Sequence, residues 1–508
     1  MNASKTSMGL LDTSVRWMAG VLLAYWGIFA LLTPVTVWDS HVYNLARLPI
    51  ARLEGLFGNT LFLNIRQIMF PWSFDSIHLP FLALEWGYAL PSYLSLIGIA
   101  WILFKMLQRT AGARTAWLGV ISLFALPTVI FQATSTKNDL GLVFVALFAC
   151  YSLFRYLELS SWYWLLLSAI AVGFLPGIKS TGFPLAFFVT LATVWLLRRD
   201  IRLLASWCVA AGVSFCLLGS LEIYLNNAQL YSNPLGEPAV ALAHSNQDGP
   251  AGGLANLIRY VFGFINPGWV RSAAIDANWS QSLEVACRAV LEALHLTDLG
   301  FHSYFSDSTV SFRQGGDETS SDFGPFGMAA MAISAWRVIR FRKAQPACWV
   351  ALAGWFLLVV SASTVAWMPW NMRFLMLPAI LFVAATLMTL APHIEQKPWV
   401  FIGVFLMLLY SVIAFPVAST NKRPKDLIDA VQDREMQTLG ERRAMRPVFD
   451  AVRELSSASP GVPWLLHTGG DSWTLGLLEM RAADVMPAPE LDARVLNAAS
   501  AKSDSGAV

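Results

Sequence analysis

The stretch WYWLLLSAIAVGFLPGIKSTGFPLAFFVTLATVWLLRRDIR (162–202) decides the class of fold. From Trp162 to Leu197 its one charged side chain is Lys179, and the run then closes on Arg198, Arg199, Asp200 and Arg202. Apolar length of this kind suits ~30 Å of hydrocarbon, and a soluble core has no use for so much of it. Pro176, Pro184 and the GIKSTG between the two halves predict either two short helices or one broken helix. The rest of the chain agrees. It is 56% hydrophobic and 13% charged over 508 residues, where a soluble domain carries about 25% charged. Mean hydropathy is +0.54, so lipid must be the solvent for much of the surface.

Working outward, windows long enough to span a bilayer fall near 15–33, 88–107, 115–132, 138–155, 162–178, 181–197, 203–225, 323–341, 347–366, 372–391 and 399–417. The sequence therefore predicts an all-α polytopic membrane protein of about eleven transmembrane helices. Trp17, Trp101, Trp162, Trp164 and Trp399 stand near the ends of these runs, where amphipathic rings favour the headgroup layer. The first run ends at Thr33-Pro34 without a small-residue cleavage pattern and reads as a retained span. Cys150, Cys208, Cys216, Cys287 and Cys348 form no C-x-x-C pair and mostly lie in apolar runs, which argues against a disulfide framework or a zinc site.

Threading the spans alternately separates the connections by charge. KMLQRTAGAR, RYLELSS, RRDIR, RVIRFRKAQ and HIEQKP are rich in Lys and Arg, whereas QATSTKN, GIKSTG and AWMPWN hold at most one cation each. The positive-inside rule then predicts a cytoplasmic N-terminus. Residues 34–87, 226–322 and the C-terminal region 418–508 fall on the extracytoplasmic side of a 1–417 transmembrane domain. Within these, 42–57 and 283–296 read as amphipathic helices, lying on the membrane or packed on their own loops. The tail combines helix-like RRAMRPVFDAVRELSS with strand-like VPWLLHTGG, a small α/β appendage.

Ionisable groups at a membrane boundary are costly and point to function. Four stand out, all on the predicted outer side. Asp39 follows the first span, equally readable as a helix N-cap. Asp139 opens the fourth, with Lys137 as its ready ion-pair partner. Lys179 lies between two apolar runs with no acid nearby in sequence, and Arg373 sits just inside a late span, where snorkelling is the simple alternative. Carboxylates can take protons from hydroxyls, and cations can stabilise a departing phosphate. Two carboxylates can also share a divalent cation such as Mg or Mn. No G-x-S-x-G, H-E-x-x-H or P-loop is present. The residues alone thus indicate a site for an anionic lipid or phosphate.

Taken in order, the motifs resemble the C-type glycosyltransferases that use polyprenyl-phosphate sugars, family 39-like, related to protein O-mannosyltransferases and aminoarabinose transferases. WDSHVYNLAR is similar to their D-x-x-x-Y-x-L-x-R first-loop pattern, with Asp39 and Tyr43. SFDSIHLPFLALEWG resembles the segment before the second span, with His78 and Glu85. ATSTKNDLGLVF resembles the second acidic motif, with Lys137 and Asp139, and GFLPGIKSTGFPLAF the glycine-rich motif, with Lys179. NAQLYSNPLGEP and SSDFGPFGM, with Asp322, resemble the ends of the large outer loop, and WMPWNMRFLMLP the late R-x-x-x-x-P, with Arg373. Two departures stand out: Ser40 replaces the second acid of the mannosyltransferases, and Ser321-Asp322 stands where Glu-Asp is the pattern.

The resemblance implies an inverting transfer of sugar from a polyprenyl-phosphate donor to an acceptor hydroxyl on protein, glycan or lipid. Asp39 would be the general base, and Asp139 would orient a cation, the acceptor or Lys137. Lys179 and Arg373 would stabilise the phosphate, with Lys137, His78, Glu85, Tyr43 and Asp322 binding substrate. It implies a bacterial inner-membrane location and no nucleic-acid partner. A polyprenyl-linked glycan ligase or polymerase would need arginine-rich outer loops, and Arg259, Arg271, Arg288 and Arg313 are scattered. A lipid or glycan transporter would predict internal repeats and ionisable groups near the bilayer midplane, and neither is evident in the sequence.

Overall fold

The computed structural model describes residues 2–34, 39–40, 44–45, 47–48, 65–82, 86–266, 273–301, 312, 322–340, 345–418, 423–432, 454, 464–466 and 485–487. Its longer helices are α1 (Asn2–Leu32), α2 (Leu90–Thr110), α3 (Ala113–Phe124), α4 (Pro127–Ala133), α5 (Asp139–Leu159), α6 (Trp162–Ile178), α7 (Gly182–Leu197) and α8 (Ile201–Leu218). They continue as α9 (Leu221–Tyr231), α10 (Gly249–Ile265), α11 (Ala273–Ala293), α12 (Gly324–Ile339), α13 (Pro346–Thr364), α14 (Met376–Gln396) and α15 (Pro398–Ala418). Every predicted window holds a helix. By length and composition, six are long and apolar enough to cross a membrane, α3 and α4 together make a seventh bent by 72°, and α6, α7 and α15 supply shorter apolar helices. The chain is an integral membrane protein.

Two windows differ in detail, and the alternative left open at 162–197 resolves. The 162–197 run is two helices, because Lys179 is extended (φ −163°, ψ 148°) between Ile178 and Gly182. The 115–132 window breaks at Ala125–Leu126, where Pro127 opens a new helix rather than continuing the old one. The 203–225 window ends early: α8 stops at Leu218, and Ser220, at φ +54°, starts α9 in a new direction.

Packing divides the chain into two units of interleaved segments. One comprises Met1–Ile28, Tyr93–Ala133 and Pro238–Pro424; the other comprises Phe29–Ser92, Thr134–Glu237 and Lys425–Val508. The division concerns packing and is separate from the hydropathy boundary at 417/418.

In the first unit α14 is the axis, packed against α3, α12, α13 and α15. Most of its side chains are buried, which its apolar composition on all faces allows. On α13 lies α10, where Gly253 meets Ser363 and Asn256 Nδ2 donates to the carbonyls of Ala362 (3.2 Å) and Val365 (3.0 Å). Arg259 of α10 is buried and donates to Asn256 Oδ1 (2.9 Å) and the carbonyls of Leu299 (2.6 Å) and Thr297 (3.0 Å). Burial lowers its pKa to about 10. The predicted amphipathic stretch at 283–296 falls largely within α11, which packs on α10 with Cys287 and Leu291 inward and Trp279, Val285 and Val290 exposed.

In the second unit α6 packs between α5 and α8, with α7 beside it. The α6–α8 crossing is close because the contact face of α6 is Gly173-x-x-x-Gly177. A Cβ on Gly173 would meet the Ala211 carbonyl at 2.4 Å, and one on Gly177 the Leu218 carbonyl at 2.1 Å. The first loop contributes a small core of Leu45, Leu48, Trp72 and Tyr88, packed by Leu79, Phe81 and Ile223. Leu45 and Leu48 belong to the predicted 42–57 helix, most of which lies outside the described residues. Their burial favours a helix packed on its own loop. In the tail, β1 (Trp464–Leu466) pairs in parallel with β2 (Val485–Pro487), so the strand expected in VPWLLHTGG is present. The helix expected there lies, but for Glu454, outside the described residues.

Candidate active site

The site is built where the C-terminal end of α6 meets the N-terminal end of α5. A helix leaves its last four carbonyls without intrahelical donors. Here each has found one. Leu175 accepts from Lys179 N (3.4 Å), Pro176 from the Tyr224 hydroxyl (2.7 Å), Gly177 from Ser73 N (3.0 Å) and Ile178 from Asn138 Nδ2 (2.7 Å). The backbone that carries Lys179 is thus fastened from α5, α9 and the first loop at once.

Lys179 Nζ lies 2.5 Å from Asp139 Oδ1. Asp139 is the first residue of α5 and Lys179 caps α6. Each charge therefore sits at the helix end whose dipole favours it, carboxylate at the N-terminus and ammonium at the C-terminus. Lys137 does not pair with Asp139, as its sequence position suggested; its Nζ lies 3.3 Å from Asp39 Oδ2. The reason is local. Lys137 precedes the helix that begins at Asp139, and two residues apart on such a path the side chains do not face each other. The segment 136–139 is held by Thr136 Oγ1 donating to Ser40 Oγ (2.5 Å) and by Ser92 Oγ donating to the Lys137 carbonyl (3.1 Å). Thus Asp39, Lys137, Asp139 and Lys179 come together as two ion pairs joined through one short segment. Lys137 and Asp139 are nearly closed off (2% and 5% exposed), while Asp39 (14%) and Lys179 (22%) remain the open members.

Beside them lies a pair that sequence reasoning missed. Arg47 and Asp75 form an ion pair with both side chains buried. Arg47 also donates to the carbonyls of Phe70 (2.7 Å) and Pro71 (2.8 Å), and Asn44 Nδ2 donates to both Asp75 oxygens at 3.2 Å. Burial pushes the Asp75 carboxyl up; Arg47, Asn44 and the nearby charge of Lys179 pull it back. Arg47 had been visible as the last letter of D-x-x-x-Y-x-L-x-R, and Asp75 only as an acid three residues before His78. His78 is fully buried, its ring edge-on to Phe74, and its Nδ1–H donates to the Asp75 carbonyl (3.1 Å). Burial lowers its pKa to about 4, and Nε2 has no partner.

Comparison with known proteins follows this geometry. The family model described as dolichyl-phosphate-mannose-protein mannosyltransferase matches residues 66–221. That span contains His78, Lys137, Asp139 and Lys179 but not Asp39. Two crystal structures of ArnT from Cupriavidus metallidurans superpose on nearly the whole chain. The apo form has a TM-score of 0.52 at 15% identity, covering 99% of this chain and 89% of that one. The form bound to undecaprenyl phosphate has 0.53 at 13%, covering 97% and 88%. This chain shares the fold of ArnT. Among curated proteins none matches it.

Arg373 lies in a short 3-10 turn, Asn371–Leu375, that leads into α14 and packs on α4; its guanidinium stands 5.1 Å from the Phe374 ring centre. Asp322 uses its carboxylate to accept from Gly324 N (3.0 Å) at the start of α12, and its carbonyl accepts from Thr128 N (3.0 Å) and Oγ1 (2.6 Å). Both belong to the first unit, whereas the four-charge cluster belongs to the second. Tyr43 and Glu85 lie outside the described residues. Among the described residues no three His, Cys, Asp or Glu side chains approach closely enough to hold a metal ion. Asp39 and Asp139 each face a lysine rather than each other, so in this arrangement they do not converge on one cation.

Proposed function

We propose that this protein is a membrane glycosyltransferase that moves a sugar from a polyprenyl-phosphate donor to an acceptor hydroxyl, with inversion. The observation that carries the reading is the gathering of Asp39, Lys137, Asp139 and Lys179 into two linked ion pairs on the second unit. The likeness in fold to a protein crystallised with undecaprenyl phosphate supports the class of donor.

Asp39 is the general base. Its Oδ2 stands 3.3 Å from the Lys137 ammonium. As Asp39 takes the proton, the acceptor oxygen attacks the anomeric carbon and the bond to the phosphate oxygen breaks on the opposite face. The transition state has oxocarbenium character, as in glycoside hydrolysis. A phosphodiester leaves as an anion, so positive charge at the leaving oxygen replaces a general acid. Lys179, the more open of the two lysines, supplies that charge. Asp139 holds Lys179 in place until the donor arrives. The reaction is assigned to the extracytoplasmic face of a bacterial inner membrane, with a cytoplasmic N-terminus, on the charge asymmetry of the connections.

A ligase reading loses one of its arginines, since Arg259 is occupied by Asn256, Thr297 and Leu299. The test is to incubate the purified full chain in lipid nanodiscs with a panel of polyprenyl-phosphate sugars and acceptor extracts. Donor consumption with release of polyprenyl phosphate is expected for at least one sugar. Consumption of none, by protein that is folded and monodisperse, would overturn the assignment.

A further inference from the structure

Partway along α1 the first unit has a small open cleft, lined by Asp12, Val15, Arg16, Arg114, Trp117 and Phe401 among others. Its charges are unevenly used. Asp12 stands one turn before Arg16, the spacing at which an acid and a base on a helix pair. Its two oxygens are instead taken by Arg114, through Nε (2.5 Å) and Nη2 (3.2 Å). The nearest other acid, Glu395, is turned onto the start of α3, where its Oε1 accepts from Thr115 N (3.3 Å) and Thr115 Oγ1 (3.1 Å). Arg114 Nη1 has only the Glu395 carbonyl at 3.5 Å, the limit of a hydrogen bond. Arg16 is exposed and has no ion-pair or hydrogen-bond partner among the described residues. The cleft thus carries one uncompensated positive charge and a second guanidinium with donors to spare.

The level of the cleft is also marked. Asp12 and Arg16 precede the charge-free stretch of α1 from Trp17 to Leu32, and α15 begins three residues before Phe401. Trp17 and Trp399 flank it and are 72% and 70% exposed, as rings in a headgroup layer are. The floor is apolar, with Val15 and Phe401 each 3% exposed. Cations at headgroup depth above an apolar floor match the two halves of a lipid.

We infer that this cleft binds the phosphate of an anionic glycerophospholipid in the leaflet nearer the N-terminal end of α1, with Arg16 and Arg114 Nη1 on the phosphate and the acyl chains beside Trp17, Trp117 and Trp399. The inference is independent of the proposed reaction. It is tested on the full chain in nanodiscs with a photoreactive phosphatidylglycerol whose diazirine lies in the acyl chain. Crosslinks are expected in the peptides that contain Trp17, Trp117 and Trp399. Arg16→Gln should lower their yield about tenfold, the value of one charge-assisted hydrogen bond, and Arg16→Lys should restore most of it. Crosslinking by the phosphatidylcholine analogue at equal yield, or an unchanged yield in Arg16→Gln, would overturn the site. Competition by millimolar inorganic phosphate as strong as by unlabelled phosphatidylglycerol would make it a free-phosphate site and remove the lipid.

Discussion

The second unit contains two kinds of ion pair within a few residues of each other, and they are built on opposite principles. Arg47–Asp75 is closed off on both sides and surrounded by further donors and acceptors: Asn44 on the carboxylate, and the carbonyls of Phe70 and Pro71 on the guanidinium. Among the described residues Arg47 Nε has no partner. Such a pair is expensive to desolvate and is kept by its network. Asp39–Lys137 and Asp139–Lys179 each have one member still open to the surroundings. The first kind fixes the path of the first loop; the second leaves a carboxylate and an ammonium able to exchange partners with a substrate. Proximity of opposite charges does not by itself separate the two. The count of further hydrogen bonds and the exposure of each partner do.

The sharpest way to break this distinction is at Asp39. Asp39→Asn keeps the shape and removes the base, so turnover should fall by roughly 10²–10⁴-fold with little change in thermal unfolding. A variant with full turnover would remove Asp39 from the reaction. One that unfolds as readily as a variant of the closed pair would place Asp39 in that class instead. Asp75→Ala is the mirror experiment. It strands a buried guanidinium and should cost about 3–5 kcal/mol of stability, read as a lowered thermal midpoint in detergent. Arg47→Met combined with Asp75→Leu should recover most of that loss, because a buried pair exchanged for apolar groups of similar size is often neutral. If the double variant were as unstable as the single one, the pair would be doing more than holding the loop.

The spans were legible in the sequence because lipid imposes a length and a composition on each. The break between Ile178 and Gly182 was legible in Pro176, Pro184 and GIKSTG, whereas the one at Pro127 was not, since 115–132 reads as a single apolar window. What the sequence could not show was pairing. Lys137 and Asp139 are neighbours in the chain, yet Lys137 meets an acid 98 residues upstream and Asp139 a lysine 40 residues downstream. The partner of Asp139 is chosen where the start of α5 meets the end of α6, held by Asn138 Nδ2 on the Ile178 carbonyl, and that of Lys137 where Thr136 Oγ1 holds Ser40 Oγ; neither is a signal at the level of a motif. The same holds for Asp75, whose significance depends on Arg47 reaching across 28 residues of loop. The ionisable residues were therefore legible as candidates from their depth, but not as pairs.

The smallest of these effects tests whether the open pair is an exchange site. If the donor phosphate takes over Lys179 from Asp139, then Lys179→Ala should weaken donor binding by about 10–100-fold, the range for a hydrogen bond to a charged group. Binding of a polyprenyl phosphate, measured by displacement of a fluorescent analogue, reads this without any need for turnover. Asp139→Asn should act in the opposite sense, since the ammonium then loses its resident counter-ion but keeps a neutral hydrogen-bond acceptor, and donor affinity should rise by a few-fold. A structural pair predicts otherwise: both variants would lower affinity together, in step with thermal stability. Opposite signs from the two ends of one ion pair are what an exchange site requires, and equal signs would return Asp139–Lys179 to the class of Arg47–Asp75.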